Sequence, residues 1–464
     1  MKKAMSLLVV FVMLASLLTA CGGGGGGGSY DGPSYDALKV GEDYTDLTAE
    51  IRVITNRTDL VNDDTFPKYA EAFNQMYPNI TINYEGITNY SDDITARLSS
   101  KNWGDVCMVP TNILLPDLGG YFLPLCQLDA IKDDYNFAAN RAYDGVVYGI
   151  PSMGNAQGVV YNIRIAEEAG YTADQAKLDA DPTLKPLPKT PGEFLEFLQA
   201  IKDNTDAIPL YTNFADNWPM GAWDAYIGGC ATGDADWMNI TMPQTKDVFS
   251  DRGDGTGPYA VYKLLYDAVS MGLTVDSPTA TNWESSKPMM NRGEIGVMVL
   301  GSWAVSQMQA AGENAADIGY MPFPITQPDG KQTAAAGADY CFGVNKDAAQ
   351  DNQIASMLYI KWFTESSNYA YDQGGVPVLK SQEYPTVLSA FNGIELIEDT
   401  PAPTELAELQ PDVNRESEMG INADNTHVQR IVEAVVTGNE TLDDIIADWN
   451  QRWNDAVDRC APQG

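Results

Sequence analysis

Apolar and polar positions along the chain switch repeatedly between two periods. Glu50 to Thr55 alternates as a strand does, whereas Phe66, Tyr69, Ala70, Phe73 and Met76 recur at helical spacing until Tyr77-Pro78-Asn79 ends the pattern. Ile80 to Tyr84 alternates again, and a helix near Asp92 to Ser99 leads into the apolar run Val106 to Val109. These segments make two successive β-α-β steps.

Later elements announce themselves through their ends. Thr190-Pro191-Gly192-Glu193 has the form of a capping box with Pro at the first helical position, followed by Phe194, Leu195, Phe197, Leu198 and Ile201. Thr441-Leu442-Asp443-Asp444 opens another helix in the same way, and there Ile445, Trp449, Trp453 and Val457 form a stripe that reads as core. Ile295 to Leu300, Ile318 to Met321 and Tyr340 to Val344 are buried-strand candidates. The whole predicts an α/β architecture, and open α/β sheets bind ligands beyond the carboxyl ends of their strands.

The N-terminus follows a different logic. Lys2 and Lys3 precede an apolar stretch from Ala4 to Leu18, too short to span a membrane, and Leu18-Thr19-Ala20-Cys21 closes it. This junction resembles a bacterial lipobox, which makes residues 1–20 a signal peptide and Cys21 the lipid-modified first residue. Seven glycines follow directly, and the polar stretch from 21 to 47 reads as a flexible tether.

Composition narrows the chemistry. The 464 residues include 64 Asp plus Glu against 28 Lys plus Arg, a formal charge of -36, and no basic stripe appears, which argues against nucleic acid. The single histidine, His427, removes most imidazole chemistry. Beyond Cys21, Cys107, Cys126, Cys230, Cys341 and Cys460 are widely spaced and odd in number, with no C-x-x-C pair. No P-loop occurs, so ATP hydrolysis would belong to a partner. No cofactor and no metal site are expected.

A series of local patterns then becomes informative through its order. Asp144-Gly-Val-Val-Tyr-Gly-Ile-Pro, Val160-Tyr161-Asn162, Ala169-Gly170, Thr190-Pro-Gly-Glu-Phe, Asn291-Arg-Gly-Glu-Ile-Gly-Val-Met and Gly301-Ser-Trp303 follow one another. Together with the lipobox they resemble family 1 extracellular solute-binding proteins, of which maltose-binding protein is a distant member, over about Glu50 to Ala456.

The resemblance implies a type II periplasmic-binding-protein-like fold of two lobes, each a sheet flanked by helices, with a ligand cleft between them. The N-terminal lobe would comprise 48–155 plus 318–367 and the C-terminal lobe 156–317 plus 368–464. It also implies the capture subunit of an ABC importer, most often for sugars. The partners would be a carbohydrate ligand, permease transmembrane subunits with a separate ATPase, and a membrane reached through the lipid anchor. The protein would be monomeric and face the outside of a bacterial cell.

Sugar capture uses aromatic faces against pyranose C-H faces and short polar side chains against hydroxyls. By the resemblance, Trp303 and Trp218 stack on sugar, with Trp223 as the alternative to Trp218, and Asp216 stands where the relative has a Glu. Asn56 and Asp59 follow the first strand, Asn112 follows Val106 to Val109, and Asn155 marks the hinge; each is expected to meet hydroxyls. Asn425 stands where the relative has a further stacking Trp, which puts a maltodextrin in doubt, and Tyr340 is the candidate replacement. Two rival readings remain: a carrier of polyamines or other small solutes using Asp216 and Asp59, and a lipid-anchored glycosidase using two carboxylates.

Overall fold

The computed structural model describes residues 30–88, 90–215, 218–422 and 426–460. Residues 1–29, which include the expected signal peptide, Cys21 and the glycine run, lie outside them, whereas Tyr35 and Leu38, in the stretch expected to be a flexible tether, are buried. The predicted β-α-β start is present as the strand Ala49–Thr55, the helix Thr65–Asn74, the strand Ile80–Gly86, the helix Tyr90–Leu98 and the strand Val106–Met108. The first strand is the parallel partner of both others, each reached by a crossover through an intervening helix.

Two sheets carry the structure. The first runs Ile80–Gly86, Ala49–Thr55, Val106–Met108, Cys341–Val344, Ile150–Pro151. The second runs Ile208–Leu210, Ile295–Gly301, Gly154–Asn162, Thr333–Ala338, Glu395–Ile397, with Ile318–Pro322 also paired to Gly154–Asn162. The strand Gly154–Asn162 is the axis of the second sheet. The segment 318–338, placed from the sequence in the returning part of the first lobe, therefore pairs within the second sheet instead: Ile318 lies against Asn162 and Gly337 against Asn155. The chain re-enters the first sheet only at Cys341, opposite Pro151.

Flanking helices bury the faces that the sequence marked. The helix Pro191–Asn204 starts with both bonds of its capping box: Glu193 N–H donates to Thr190 Oγ1 at 3.3 Å, and Thr190 N–H to Glu193 Oε2 at 3.2 Å. Phe194, Phe197, Leu198 and Ile201 are fully buried against the second sheet. In the helix Leu442–Cys460, Ile445, Trp449 and Trp453 are likewise fully buried, and Phe249 meets both tryptophans edge-on. The helix Gln350–Glu365 buries residues on all sides, because it lies between the first sheet and neighbours on its outer face.

His427 is not a surface residue of its helix. It is 4% exposed, with Nε2 2.9 Å from Asp224 Oδ1, and Asp224 also accepts from the Tyr262 hydroxyl at 2.8 Å and from Asn422 N–H at 2.9 Å. This buried polar cluster ties the helix Thr426–Thr437 to the turn-like helix Trp218–Tyr226. Cys107, Cys126, Cys230 and Cys341 are buried free thiols and Cys460 is half-buried. Burial pushes Cys126, Cys230 and Cys341 up to about 12, so they behave as small apolar side chains.

Candidate functional site: the junction between the two sheets

The strands that leave the first sheet and enter the second pass through one narrow region. Two residues separate Pro151 from the strand beginning at Gly154, and two separate Ala338 from Cys341. A third passage lies beside them, where Gly154 and Val376 exchange backbone hydrogen bonds of 2.8 and 2.7 Å. Gly154 is required by contact: a Cβ there would stand 1.9 Å from Phe137 Cε2.

Polar side chains line this junction. Asn155, 6% exposed, donates from Nδ2 to Asp339 Oδ1 at 2.9 Å and receives the Ser302 hydroxyl at 3.4 Å. Ser302 Oγ in turn accepts Ala156 N–H at 3.2 Å. Burial raises the Asp339 carboxyl, and the Asn155 hydrogen bond and Arg57 charge oppose that rise. Asn155 thus lies where the chain enters the second sheet, and its partners there are protein groups.

After the first strand, Arg57 dominates. Its guanidinium grips Asp59 with two bonds of 2.9 and 2.8 Å and reaches Gln373 Oε1 at 3.0 Å, while only 13% of its side chain is exposed. Burial would raise the Asp59 carboxyl, but the Arg57 hydrogen bonds and charge outweigh it and hold Asp59 below the usual carboxylate value. Asn56 is half-buried beside this pair, and Asn112 is exposed and accepts from the Thr95 hydroxyl at 3.2 Å. Tyr340 is half-buried and packs edge-on to Tyr90, with centroids 5.9 Å apart.

The aromatic candidates divide. Trp303 opens the helix Trp303–Ala310, directly after the strand Ile295–Gly301, and is half-buried with its ring edge-on to Trp283 at 5.5 Å. Only glycine fits at 301, where a Cβ would lie 2.6 Å from the Trp303 indole nitrogen. Trp223 is not a platform: it is 2% exposed and meets Phe323 edge-on at 6.0 Å, because its helix turns that position into the core. Trp218 begins the same helix, but its ring lies outside the described side chains. Asp216 and Asn425 lie outside the described residues.

A cavity of about 360 Å³ also spans the two sheets. Thr111 and Arg141 line it from the first, and Asn239, Glu398, Asp399 and Gln410 from the second. Burial and the neighbouring Asp399 raise the Glu398 carboxyl to about 7, although the Phe137 N–H and Lys380 pull it down. Burial likewise raises Asp399 to about 6, but this residue is open to solvent at the mouth, so its charge is better screened. Arg141 Nε is buried without a hydrogen-bond partner among the described residues.

Reading the sequence missed Arg57, Asp339, Gln373, Arg141 and Glu398. Arg57 and Asp339 are immediate neighbours of Asn56 and Tyr340, so widening each candidate by one residue finds them. Arg141 and Glu398 are 257 positions apart with no local pattern, and only the pairing of Glu395–Ile397 with Thr333–Ala338 brings Glu398 to the junction.

Comparison with known proteins agrees with this architecture. The family described as bacterial extracellular solute-binding protein matches residues 58–370. A manno-oligosaccharide-specific solute-binding protein of Bifidobacterium animalis subsp. lactis, solved with mannotriose, is 42% identical, with 93% of this chain and 99% of that one covered and a TM-score of 0.85. The binding protein of an ABC transporter from the same organism, solved with mannobiose, is 43% identical with 93% and 100% covered and a TM-score of 0.85. Maltotriose-binding protein of Pyrococcus abyssi is 22% identical over 335 residues, which are 68% of this chain and 63% of that relative's length. The fold is that of the type II periplasmic sugar-binding proteins.

Proposed function

The chain belongs to the bacterial extracellular solute-binding proteins, and from that premise we propose that it is the substrate-binding subunit of an ABC importer that captures an oligosaccharide between two lobes. The observation that carries this reading is the likeness, over nearly the whole chain, to solved binding proteins that hold mannobiose or mannotriose. A manno-oligosaccharide is accordingly the first ligand to test.

The lobes we assign are 48–153 with 339–375 and 154–338 with 376–460, since 318–338 pairs in the second sheet. Ligand closes them by hinge motion about the junction at Gly154, Asp339 and Val376. Trp303 supplies an apolar face, and Asn155, Asn56, Asp59 and Asn112 supply hydroxyl partners, with Arg57 holding Asp59 ionised. Cys21 carries a lipid anchor, the protein acts as a monomer at the outer face of the cell membrane, and separate permease and ATPase subunits take the sugar onward. Its role is capture, with no catalytic residue assigned.

A polyamine carrier is the rival reading, and charge at the junction does not decide it, since Arg57 and Arg141 lie there with Asp59, Asp339, Glu398 and Asp399. Thermal unfolding of the purified full chain against mannobiose, mannotriose, maltotriose and spermidine tests the choice. At about 100 times its dissociation constant a ligand adds about 2.7 kcal/mol, which raises the midpoint by several degrees. Stabilisation by a glycan recovered intact supports the proposal; stabilisation by spermidine alone refutes it.

A further inference from the structure

The helix Trp303–Ala310 starts where the strand Ile295–Gly301 ends, so Trp303 stands at the carboxyl edge of the second sheet. The neighbouring strand Ile208–Leu210 runs parallel to it and delivers the segment 211–215 to the same edge. A third segment, 281–283, touches both.

Its grip on 211–215 is polar. Thr281 Oγ1 accepts the Phe214 N–H at 2.6 Å, the Thr281 carbonyl accepts the Ala215 N–H at 2.8 Å, and the Asn282 N–H donates to the Tyr211 hydroxyl oxygen at 2.9 Å. Its grip on Trp303 is aromatic: the Trp283 ring, 7% exposed, meets the Trp303 ring edge-on with centroids 5.5 Å apart. Trp283 opens the helix Trp283–Arg292, whose first turn is capped by Asn282 Oδ1 accepting the Ser285 N–H at 3.1 Å. One turn on, the Lys287 ammonium lies 5.2 Å from the Trp283 ring centroid and 2.9 Å from Glu284. Cap, cation and burial together hold the Trp283 ring in place.

We propose that Trp283 is a positioning residue for ligand capture: it holds the Trp303 indole in the orientation that packs on a pyranose C-H face, and Thr281 anchors the segment that carries it. The inference rests on the oligosaccharide-binding reading above, in which Trp303 supplies an apolar face. A half-buried indole at the start of a helix has several rotamers open to it, and ordering such a side chain on binding subtracts from affinity. Here the ordering is done before ligand arrives. Gly301 leaves the indole room to lie against the strand end, since a Cβ there would stand 2.6 Å from its nitrogen, and Trp283 packs its ring against it. An aromatic neighbour imposes an orientation that an aliphatic one does not. Being buried, Trp283 acts only through Trp303.

The test is calorimetric titration of the full chain with mannobiose, mannotriose and maltotriose, for wild type, Trp283→Phe and Trp283→Leu. Unfolding midpoints establish that each variant is folded. Both substitutions remove volume and keep the position apolar, but only Phe keeps an aromatic ring. We expect Trp283→Leu to bind about fivefold more weakly than wild type and Trp283→Phe to stay within about twofold. In a Trp303→Ala background the two should bind alike, because the residue through which they act is gone. If Trp283→Leu does not fold, Thr281→Val against Thr281→Ser carries the test: Val cannot accept the Phe214 N–H and should weaken binding by at least about threefold, and Ser should restore it. A folded Trp283→Leu, or in its place Thr281→Val, that binds as wild type does overturns the positioning role. So does a Trp283→Phe that loses as much as Trp283→Leu, or a difference between them that persists without Trp303. Each of these results leaves the importer reading intact, whereas a wild-type chain that binds none of the glycans overturns both.

Discussion

Replacing Glu398 by Gln should stabilise the unliganded protein in base and leave it unchanged in acid. The folded-state carboxyl is raised from 4.5 to about 7, chiefly by burial, so between those values the folded state holds a proton that the unfolded chain has released. Stability therefore falls as pH rises from about 4.5 through about 7, and the loss is complete above it. At about 1.4 kcal/mol per pH unit the displacement is worth on the order of 3 kcal/mol for a fully buried group. Glu398 is half-buried and borders a cavity of about 360 Å³, so screening reduces this to roughly half. Gln keeps an oxygen for the Phe137 N–H and never ionises. Urea unfolding at pH 4.5, 6, 7 and 8 reads the effect as a midpoint difference that opens with pH while the slope stays constant. A variant less stable than wild type at pH 8, or a difference independent of pH, refutes the reasoning.

Two further predictions separate packing from recognition. Trp223→Ala should cost about 3–5 kcal/mol of stability, as a fully buried indole does, whereas Trp303→Ala should leave a folded protein with at least tenfold weaker oligosaccharide binding, about 1.4 kcal/mol; equal losses of stability in the two variants would contradict the division. Gly154→Ala should destabilise by about 2–3 kcal/mol, because the new methyl would stand 1.9 Å from the buried Phe137 ring, and an unchanged urea midpoint would show that Phe137 moves freely.

Much of this protein follows from sequence alone, for a definite reason. Periodicity and capping are local properties, so the strands at 49–55 and 295–301, the Thr190 box and the Trp449/Trp453 stripe are encoded within about twenty residues of where they act. The order of short motifs likewise identified the family, and the family brought the fold. What required the tertiary structure is everything set by pairing across long separations. A buried strand at 318–322 looks the same in either sheet, and only its register against Val160 and Tyr161 decides. Trp223 and Trp303 are identical side chains, and the turn of one short helix sends the first inward. Arg141 and Glu398 carry no local signature at all. Their cavity exists because strands distant in the chain end together, and the burial that this convergence imposes is what raises Glu398 into the neutral pH range.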